Sequence, residues 1–405
     1  MRIAHITPYD LAAPGGVNAT VVQLVARQRA FGHEVDLIGG ASAVVPLERW
    51  RRLRSWIARV PVNGSVASLA IATSPDTELV EIMASGRYDV VVAHEPALPL
   101  SAMALALSTG ARVAVLHAFS ETAPAAPPFV QRIAPALLQL DRAIAVSTAA
   151  RDFASRYLDM PCTIIPNGVD VPERVSFDRS GATLLFLGRP EPRKGLATLL
   201  AAVAILRRMV PDLTLVVAGA GSDDQWAEYR ARADALGVAD ATRFVGRVDE
   251  AAKARLFREA AAFCSPATGG ESQGVVLLEA MAHGTPVVAS DIAGYRTVIS
   301  NEHDGLLVPA GDAGALADAL ARVLGNRILS RRIAARARDT VAREYDWRVV
   351  VPRHLDVYRE AVAQHRPAAL TRRRMSSFAH ERDPQDAARP GAAARSASQQ
   401  IDRVQ

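Results

Sequence analysis

Two glutamates follow a glycine pair in the segment Gly269–Glu279, which reads GGESQGVVLLE. Glycine lets a backbone approach a ligand closely, and the apolar residues after Gly274 predict the start of a helix. The unpaired N–H groups of a helix N-terminus attract phosphates and sugar hydroxyls. Glu271 would lie in the loop and Glu279 about two turns into the helix, so one carboxylate could reach a sugar and the other a ribose. The alternative is a loop and a helix with two solvated glutamates.

Glycines and cations also follow two predicted strands. The segment PGGV, Pro14–Val17, lies between the first strand and a helix, where either a phosphate or a tight turn would require glycine. Arg189 ends the strand segment FLGR, and Lys194 follows it in the segment EPRKG. A guanidinium and an ammonium placed there would stabilise the charge that develops on a diphosphate leaving group. The alternative for this pair is two surface cations.

Histidines and turn residues end further strands. His117 follows an apolar run, and a histidine at the carboxyl end of a strand in an α/β sheet often faces a cleft. His94 and Glu95 end another run and are weaker candidates. His5 lies inside the first strand, where packing is its expected role. The segment IPNGVD, Ile165–Asp170, predicts a structural corner.

Short apolar runs alternate with helical patterns twice along the chain. In the first half the predicted strands are Arg2–Thr7, Glu34–Ile38, Val90–Ala93, Val113–Leu116, Ala143–Val146 and Cys162–Ile165. In the second half they are Thr183–Leu187, Leu213–Ala218, Thr242–Val245, Ala261–Cys264, Pro286–Ala289 and Gly305–Val308. Apolar strands separated by helices, such as Ala19–Phe31 and Pro99–Ser108, predict parallel sheets covered on both faces. The predicted fold class is therefore α/β with two doubly wound domains, whose ligands bind beyond the carboxyl ends of the strands.

A loop at Val171–Gly181 marks the predicted boundary between the two domains. We predict domains at residues 1–172 and 173–345 and a last helical segment at 346–365. Residues 366–405 are rich in Ala, Pro, Ser, Gln and Arg without periodicity and are predicted to be disordered. Within them, the run Arg372–Arg374 is expected to be solvated, with contact to anionic lipid as the alternative.

Composition excludes several classes of protein. The chain has 405 residues, half of them hydrophobic, which is enough for two domains. The net charge of +5 does not by itself indicate nucleic acid, and the 5% aromatic content argues against base-stacking surfaces. Cys162 and Cys264 are expected to be small buried residues in a reducing cytosol. Met1–Ile6 predicts a strand rather than a signal peptide, and no run is long enough to span a bilayer, so the expected location is cytoplasmic.

Taken in order, these motifs resemble those of the retaining GT-B glycosyltransferases of family GT4. The matching segments are PGGV, IPNGVD, FLGR with RKG, and GGES with its later Glu, and they cover roughly Met1–Gln364. Within the family the chain looks most like the phosphatidyl-myo-inositol mannosyltransferases of actinobacteria. That likeness rests on Asn63–Ala67, His94–Pro96, Glu191–Gly195 and Tyr345–Trp347.

The resemblance implies two Rossmann-like domains with the active site between them. The implied donor is a nucleotide sugar, GDP-mannose first, and transfer would retain the anomeric configuration without a catalytic metal or other cofactor. The implied catalytic residues are His117, beside the transferred sugar, and Glu271, at the sugar hydroxyls. The implied donor contacts are Gly16, Arg189, Lys194, Val248, Glu250, Lys253, Ser272, Gly274, Val275 and Glu279. The implied acceptor contacts are Tyr9, Asn18, Asn63 and Ser65.

Within the donor set, the resemblance implies distinct roles. Arg189 and Lys194 would hold the diphosphate, and the N–H of Gly16 would contact a phosphate. Glu279 would bind the ribose hydroxyls. The base pocket would be lined by Val248, Glu250 and Lys253.

The chain departs from the subgroup in four places. Gln273 replaces an aromatic residue after GGES, and Ala118 replaces a threonine after the histidine, which removes a hydroxyl that would help to hold inositol. Glu250 stands where the subgroup has an aspartate at the base, so the preference for guanine is less secure. The subgroup carries a basic cluster on an amphipathic helix near the acceptor site, whereas Ser74–Glu81 is acidic here.

A substitute for that cluster could lie upstream, at Arg49–Arg59. At helical spacing Trp50, Leu53 and Ile57 share one face and Trp56 lies beside them, among five arginines. Such a helix would lie in an anionic lipid interface. A surface helix that docks through its apolar stripe is the alternative.

We therefore expect an enzyme that transfers a hexose, mannose from GDP-mannose first, to a lipid-linked or inositol-type hydroxyl. It would be cytoplasmic, with peripheral contact to the inner face of the plasma membrane as a further option, and would not bind nucleic acid. One alternative is a GT4 transferase with a UDP-sugar and a soluble acceptor, which Ala118, Glu250 and the acidic segment favour. Another is a non-catalytic binder of sugars or nucleotides. A dinucleotide oxidoreductase is disfavoured because the glycine pattern after the first strand does not match.

Overall fold

A computed structural model describes most of the chain up to residue 366. The described residues are 1–13, 15–62, 65–72, 75–120, 137, 139–179 and 181–366, with backbone only at 61, 62, 65, 75 and 76. The predicted acceptor residue Asn63, the side chain of Ser65 and Pro14 of the PGGV segment lie outside this description. The tail predicted to be disordered lies outside it as well, apart from Arg366.

The first half of the chain forms a parallel seven-stranded sheet in the order β3-β2-β1-β6-β7-β8-β9. A separate antiparallel pair joins β4 to β5. The strands are β1 (Arg2–Ile6), β2 (Glu34–Gly39), β3 (Trp50–Arg52), β4 (Ser55–Val62), β5 (Ser65–Ala72), β6 (Val90–His94), β7 (Ala111–Leu116), β8 (Arg142–Ala145) and β9 (Cys162–Ile164). The chain reverses its direction of winding between β1 and β6, a switch point at which doubly wound sheets bind ligands.

The second half forms a parallel six-stranded sheet in the order β12-β11-β10-β13-β14-β15. Its strands are β10 (Thr183–Leu187), β11 (Thr214–Ala218), β12 (Thr242–Gly246), β13 (Ala262–Ser265), β14 (Val287–Ser290) and β15 (Leu306–Val308). The switch point of this sheet lies between β10 and β13. Two doubly wound sheets confirm the predicted fold class. The sequence places their strands to within one or two residues, except for β3, where it predicts a helix.

Helices cover both sheets. They are α1 (Gly16–Ala30), α2 (Pro75–Gly86), α3 (Pro99–Leu107), α4 (Thr148–Ala154), α5 (Leu196–Leu206), α6 (Asp223–Ala235), α7 (Glu250–Glu259), α8 (Val275–Ala282), α9 (Ala293–Arg296), α10 (Ala313–Gly325), α11 (Arg327–Glu344) and α12 (Trp347–Gln364), with a 3-10 turn at Pro192–Lys194. Side-chain caps explain several starts, because Ser147, Asp249 and Asp312 each accept a bond from an N–H of the first turn. None of the helices in the described segments combines the length and the apolar character that crossing a bilayer requires.

The last helix, α12, packs on the first sheet rather than on the second. Its Trp347, Val350 and Tyr358 are buried in the same cluster as the strands of that sheet. A parallel bridge between Val169 and Asp346 brings the chain back, and the indole of Trp347 fills the space beside Gly168. The IPNGVD segment therefore borders the return of the chain as well as forming a corner.

The prediction of a helix at Arg49–Arg59 is wrong, because this segment contains β3 and the start of β4. Arg49 and Arg51 point at the buried carboxylate of Asp36, at 2.9 and 3.3 Å, instead of forming a basic helix face. Leu53 is only 1% exposed. Long-range pairing with β2 and β5 thus overrides the local helical spacing, as often happens for short segments.

Candidate active site

Most of the predicted site residues follow the carboxyl ends of strands that neighbour a switch point. His117 follows β7, Arg189 and Lys194 follow β10, and Glu271 follows β13. Since β10 and β13 are paired, their two loops lie side by side. Gly195 permits this approach, because it has φ +73° and a Cβ there would lie 1.8 Å from the carbonyl oxygen of Pro266.

Two cations meet one oxygen of Glu271. The Lys194 ammonium lies 2.6 Å and the Arg193 guanidinium 2.5 Å from its Oε1, and the three side chains are at most 19% exposed. Among the described residues no hydrogen bond or ion pair reaches Oε2. Burial on its own raises the pKa of Glu271, but Lys194 and Arg193 hold it below its ordinary value. Glu271 is therefore a carboxylate with one oxygen available to a ligand.

Arg189 and Arg193 share a second carboxylate, that of Glu191. Arg189 lies 3.0 Å from Oε1 and Arg193 lies 2.9 Å from Oε2 of this glutamate. Through Glu191, Arg193 thus links Arg189, which is predicted to bind the diphosphate, to the Glu271 cluster. The prediction omits Arg193, although it stands in the EPRKG segment beside Lys194, because spacing alone does not show that both of these adjacent cations point inward.

A second cluster of one cation and two carboxylates forms on α7 and α8. The Lys253 ammonium lies 2.6 Å from Oε1 of Glu279 and 2.8 Å from a carboxylate oxygen of Glu250. Burial lowers the pKa of Lys253, but the two carboxylates raise it above its ordinary value. The structure therefore joins three of the predicted donor contacts, and Oε2 of Glu279 makes no hydrogen bond or ion pair within the described chain.

Open helix N-termini complete the donor side. Gly274, with φ +86°, precedes α8 and leaves its first turn without a side-chain cap, and Val275 begins that helix. Gly15 likewise precedes α1 without a side-chain cap, and Gly16 is its exposed first residue. Uncapped N–H groups of this kind bind anions. Val248 lies just before α7, half-buried.

On the first sheet, a buried carboxylate holds the backbone after β7. The Oε1 of Glu95 accepts hydrogen bonds of 2.7 Å from the N–H groups of both His117 and Ala118. Glu95 itself has φ +52°, an uncommon conformation for a residue with a side chain. His117 is 5% exposed and, within the described chain, its ring forms no hydrogen bond or ion pair with the Glu271 cluster.

The predicted acceptor contacts are only partly described. Tyr9 forms a bridge with Leu69 of β5, which ties the loop before α1 to the β4–β5 hairpin. Asn18 donates from Nδ2 to the carbonyl oxygens of Asp10 and Ala13, at 2.7 and 3.1 Å. Its buried Oδ1 has no hydrogen-bond partner among the described residues.

Three hydrogen bonds tie the loop before α8 to the first half of the chain. The Ser147 hydroxyl donates to the carbonyl oxygen of Ser272 at 2.5 Å. The buried Gln273 accepts from the backbone N–H and the side-chain Nδ2 of Asn167, at 3.0 and 2.6 Å. Gln273 is thus a polar tie between the IPNGVD segment and the GGES loop, a role that sequence alone does not suggest.

Comparison with known proteins agrees with this architecture. Residues 14–173 match the family described as Glycosyltransferase Family 4, and residues 172–340 match Glycosyl transferases group 1. The phosphatidyl-myo-inositol mannosyltransferase of Mycobacterium leprae is 39% identical over 90% of this chain and 97% of its own. That of Mycobacterium tuberculosis H37Rv is 40% identical with the same coverage.

Solved structures share the fold. A sucrose-phosphate synthase from Thermosynechococcus elongatus superposes with a TM-score of 0.72 at 24% identity, covering 90% of this chain and 99% of that one. Anabaena HepE, solved with UDP and glucose, gives 0.66 at 17% identity, covering 88% and 99%. With these sheets, these motifs and near full-length relatives, the chain is a glycosyltransferase of the GT-B fold and belongs to family GT4, together with the phosphatidyl-myo-inositol mannosyltransferases.

Proposed function

We propose that the protein transfers a mannosyl residue from GDP-mannose to the inositol ring of a phosphatidyl-myo-inositol lipid. The observation that carries this proposal is the cluster of Arg193, Lys194 and Glu271, where two cations and a carboxylate meet at the switch point of the second sheet. The near full-length relatives, named phosphatidyl-myo-inositol mannosyltransferases, support the choice of sugar and acceptor.

The charges of the cluster suit a diphosphate leaving group. Departure of the nucleotide concentrates negative charge on the diphosphate, and Arg189, Arg193 and Lys194 would stabilise it. Glu271 keeps Arg193 and Lys194 in place through one oxygen, so its Oε2 would accept a hydrogen bond from a hydroxyl of the donor sugar. Glu279, fixed in the same manner by Lys253, would accept from the ribose.

His117 and the N-terminus of α1 would complete the site from the first sheet. In this proposal Gly16 contributes an N–H to a phosphate, and His117 lies beside the transferred sugar. Attack from the face that the leaving phosphate occupies would retain the anomeric configuration, with the phosphate itself taking the acceptor proton. We also propose that the transfer requires no metal.

The β4–β5 hairpin is the proposed membrane contact, in place of the rejected helix. Trp56 and Val60 lie on one face of the hairpin and are 57% and 37% exposed. Leu69 lies on the same face, opposite Ala58, and it is the residue that bridges to Tyr9. An apolar face with arginines near its edges fits an anionic lipid surface, and it would present the lipid acceptor beside the site.

We further propose that the chain divides at residues 1–172 and 173–345, with 346–365 returning to the first domain, and that the enzyme acts in the cytoplasm. In this arrangement the acceptor would approach from the first domain and the donor from the second.

A donor screen tests the reaction. Purified protein would be incubated with phosphatidylinositol vesicles and radiolabelled GDP-mannose, UDP-glucose or UDP-N-acetylglucosamine. The proposal expects labelled lipid with GDP-mannose, and labelled lipid with a UDP-sugar but not with GDP-mannose would refute it. Glu271→Gln should lose activity by about 10- to 100-fold, because a hydrogen bond to a charged group contributes about 1.5–3 kcal/mol. Glu259→Gln, on the exposed face of α7, should leave the rate unchanged.

Vesicle sedimentation tests the hairpin. Trp56→Ser with Val60→Ser should reduce binding to phosphatidylinositol-containing vesicles while nucleotide affinity stays the same. The matched control is Val44→Ser, at an apolar residue that is 83% exposed outside the hairpin. Equal sedimentation of the hairpin variant and the control would remove the proposed membrane contact.

A further inference from the structure

A line of buried polar side chains crosses the first sheet and ends at His117. Oε1 of Gln28 lies 2.8 Å from Nε2 of His5, and Nδ1 of His5 lies 3.0 Å from Nε2 of His94. Nδ1 of His94 then lies 2.9 Å from Nε2 of His117. The three histidines come from the neighbouring strands β1 and β6 and from the end of β7, so the order of the sheet creates the line.

The rings of this line are neutral at physiological pH. Gln28, His5 and His94 are fully buried, and burial lowers the pKa of His5 and of His117 to about 4. A neutral imidazole has one N–H donor and one acceptor nitrogen. Each bond between two rings therefore needs a proton on one side only, and the position of one proton decides the position of all the others. The protons along the line therefore have just two possible arrangements. Either every ring donates toward Gln28, or every ring donates toward the His117 end.

Gln28 decides between these two directions. Its Nε2 donates to the hydroxyl of Tyr358 at 3.4 Å, which directs its Oε1 to His5. An oxygen accepts, so Nε2 of His5 must carry the proton and Nδ1 of His5 must accept from His94. By the same rule His94 accepts from Nε2–H of His117. The Nδ1 of His117 is then left as an acceptor, and it has no hydrogen-bond partner among the described residues.

We propose that Gln28 and His5 are positioning residues, which hold His117 in the tautomer whose Nδ1 accepts a hydrogen bond from a substrate hydroxyl. The role of that hydroxyl rests on the proposed function, whereas the tautomer does not. The physical basis is that the hydrogen bond made by one ring nitrogen determines the protonation of the other. Here the group that determines the tautomer is Gln28, which lies at the far end of the line and is separated from His117 by the rings of His5 and His94.

Nitrogen-15 NMR of the histidine-labelled full chain tests the tautomer without substrate, since protonated and bare ring nitrogens have well separated shifts. The ring signals of His117 are identified by their loss in His117→Gln. The wild type is expected to show a protonated Nε2 and a bare Nδ1 at this ring. A protonated Nδ1 overturns the proposal.

Two substitutions of Gln28 form a matched pair. Gln28→Glu keeps an acceptor toward His5 and should preserve the tautomer of His117. Gln28→Met keeps the volume but removes the acceptor, so the His117 shifts should move toward the average of the two tautomers. His5→Phe, which interrupts the line, should have the same effect as Gln28→Met. Wild-type shifts in both Gln28→Met and His5→Phe would show that the line only packs, and would overturn the proposal.

Kinetics separates this inference from the proposed function. In the mannosyl-transfer assay Gln28→Met should lower kcat roughly three- to tenfold, the effect of one misdirected hydrogen bond, without changing GDP affinity. Gln28→Glu should restore the rate. If no variant and no wild type transfers mannose, the proposed function fails while the NMR result stands. If transfer occurs and the tautomer changes without any change in kcat, the positioning role is wrong.

Discussion

Glu95 offers a test in which the sign and the size of the effect follow from the structure. This residue is 5% exposed, and its carboxyl group accepts two backbone hydrogen bonds through the single oxygen Oε1. Glu95→Gln keeps a carbonyl oxygen that accepts both bonds and removes the ionisation. The substitution therefore isolates the effect of charge on folding.

Burial raises the pKa of Glu95 from 4.5 to about 7, against the opposing effect of the two backbone bonds. Below pH 4.5 the group is neutral in both the folded and the unfolded chain. Between pH 4.5 and 7 the unfolded chain releases the proton and the folded chain keeps it, so the free energy of unfolding falls as the pH rises. Each pH unit costs up to 1.36 kcal/mol, which sums to about 3 kcal/mol by pH 8.

Urea unfolding between pH 5 and pH 8 measures this effect. The wild-type and Glu95→Gln proteins share all other titrating groups, so the difference between their free energies of unfolding isolates Glu95. We expect this difference to shift in favour of the variant by about 2.5 kcal/mol over that range. Glu360→Gln, at an exposed pair with Arg142, is the control substitution at a surface carboxylate. A flat or a falling difference for Glu95→Gln would refute the reasoning.

Three further predictions concern the donor side. Gln273→Met should lower the free energy of unfolding by about 2–4 kcal/mol, because both donors of Asn167 stay buried without an acceptor; urea unfolding measures this loss, and adding Asn167→Ala should recover part of it. Gly195→Ala should lower the melting temperature and GDP affinity together, since its Cβ would lie 1.8 Å from a carbonyl oxygen at φ +73°; an unchanged melting temperature would contradict the close approach. Arg193→Met should raise the pKa of Glu271, so that transfer declines at a higher pH on acidification, and Arg193→Lys should restore the wild-type pH profile.

The sheets could be predicted closely because their strands are continuous apolar runs buried on both faces. The β4–β5 hairpin could not, since its strands mix Arg, Ala and Trp without a clear alternation, and only pairing with each other and with the loop before α1 makes them strands. Arg49–Arg59 shows the same limit, because helical spacing is visible locally while the partner strand is not.

For the site as well, the positions of residues next to a strand could be predicted from the sequence, whereas contacts between distant elements could not. Arg189, Lys194 and Glu271 each end or follow a recognisable strand, so their general position is readable from the chain. The partners of Gln273 and His5 lie on other elements, and no spacing within the sequence reveals them. What decides such contacts is the order of strands in the sheet, which places β1 beside β6 and β6 beside β7.

The two halves of the site differ in charge, and this difference limits what each half could contribute to glycosyl transfer. The second sheet brings Arg189, Arg193 and Lys194 to the place where a leaving diphosphate would gain charge. The first sheet brings neutral rings, because burial keeps the pKa of His117 near 4 and a cationic imidazole is disfavoured at physiological pH. His117 would thus act through a directed hydrogen bond rather than as a charged acid. The cations that stabilise the leaving group would then come from the second sheet alone, while the first half of the chain would add the N–H of Gly16 and the orientation of a substrate hydroxyl.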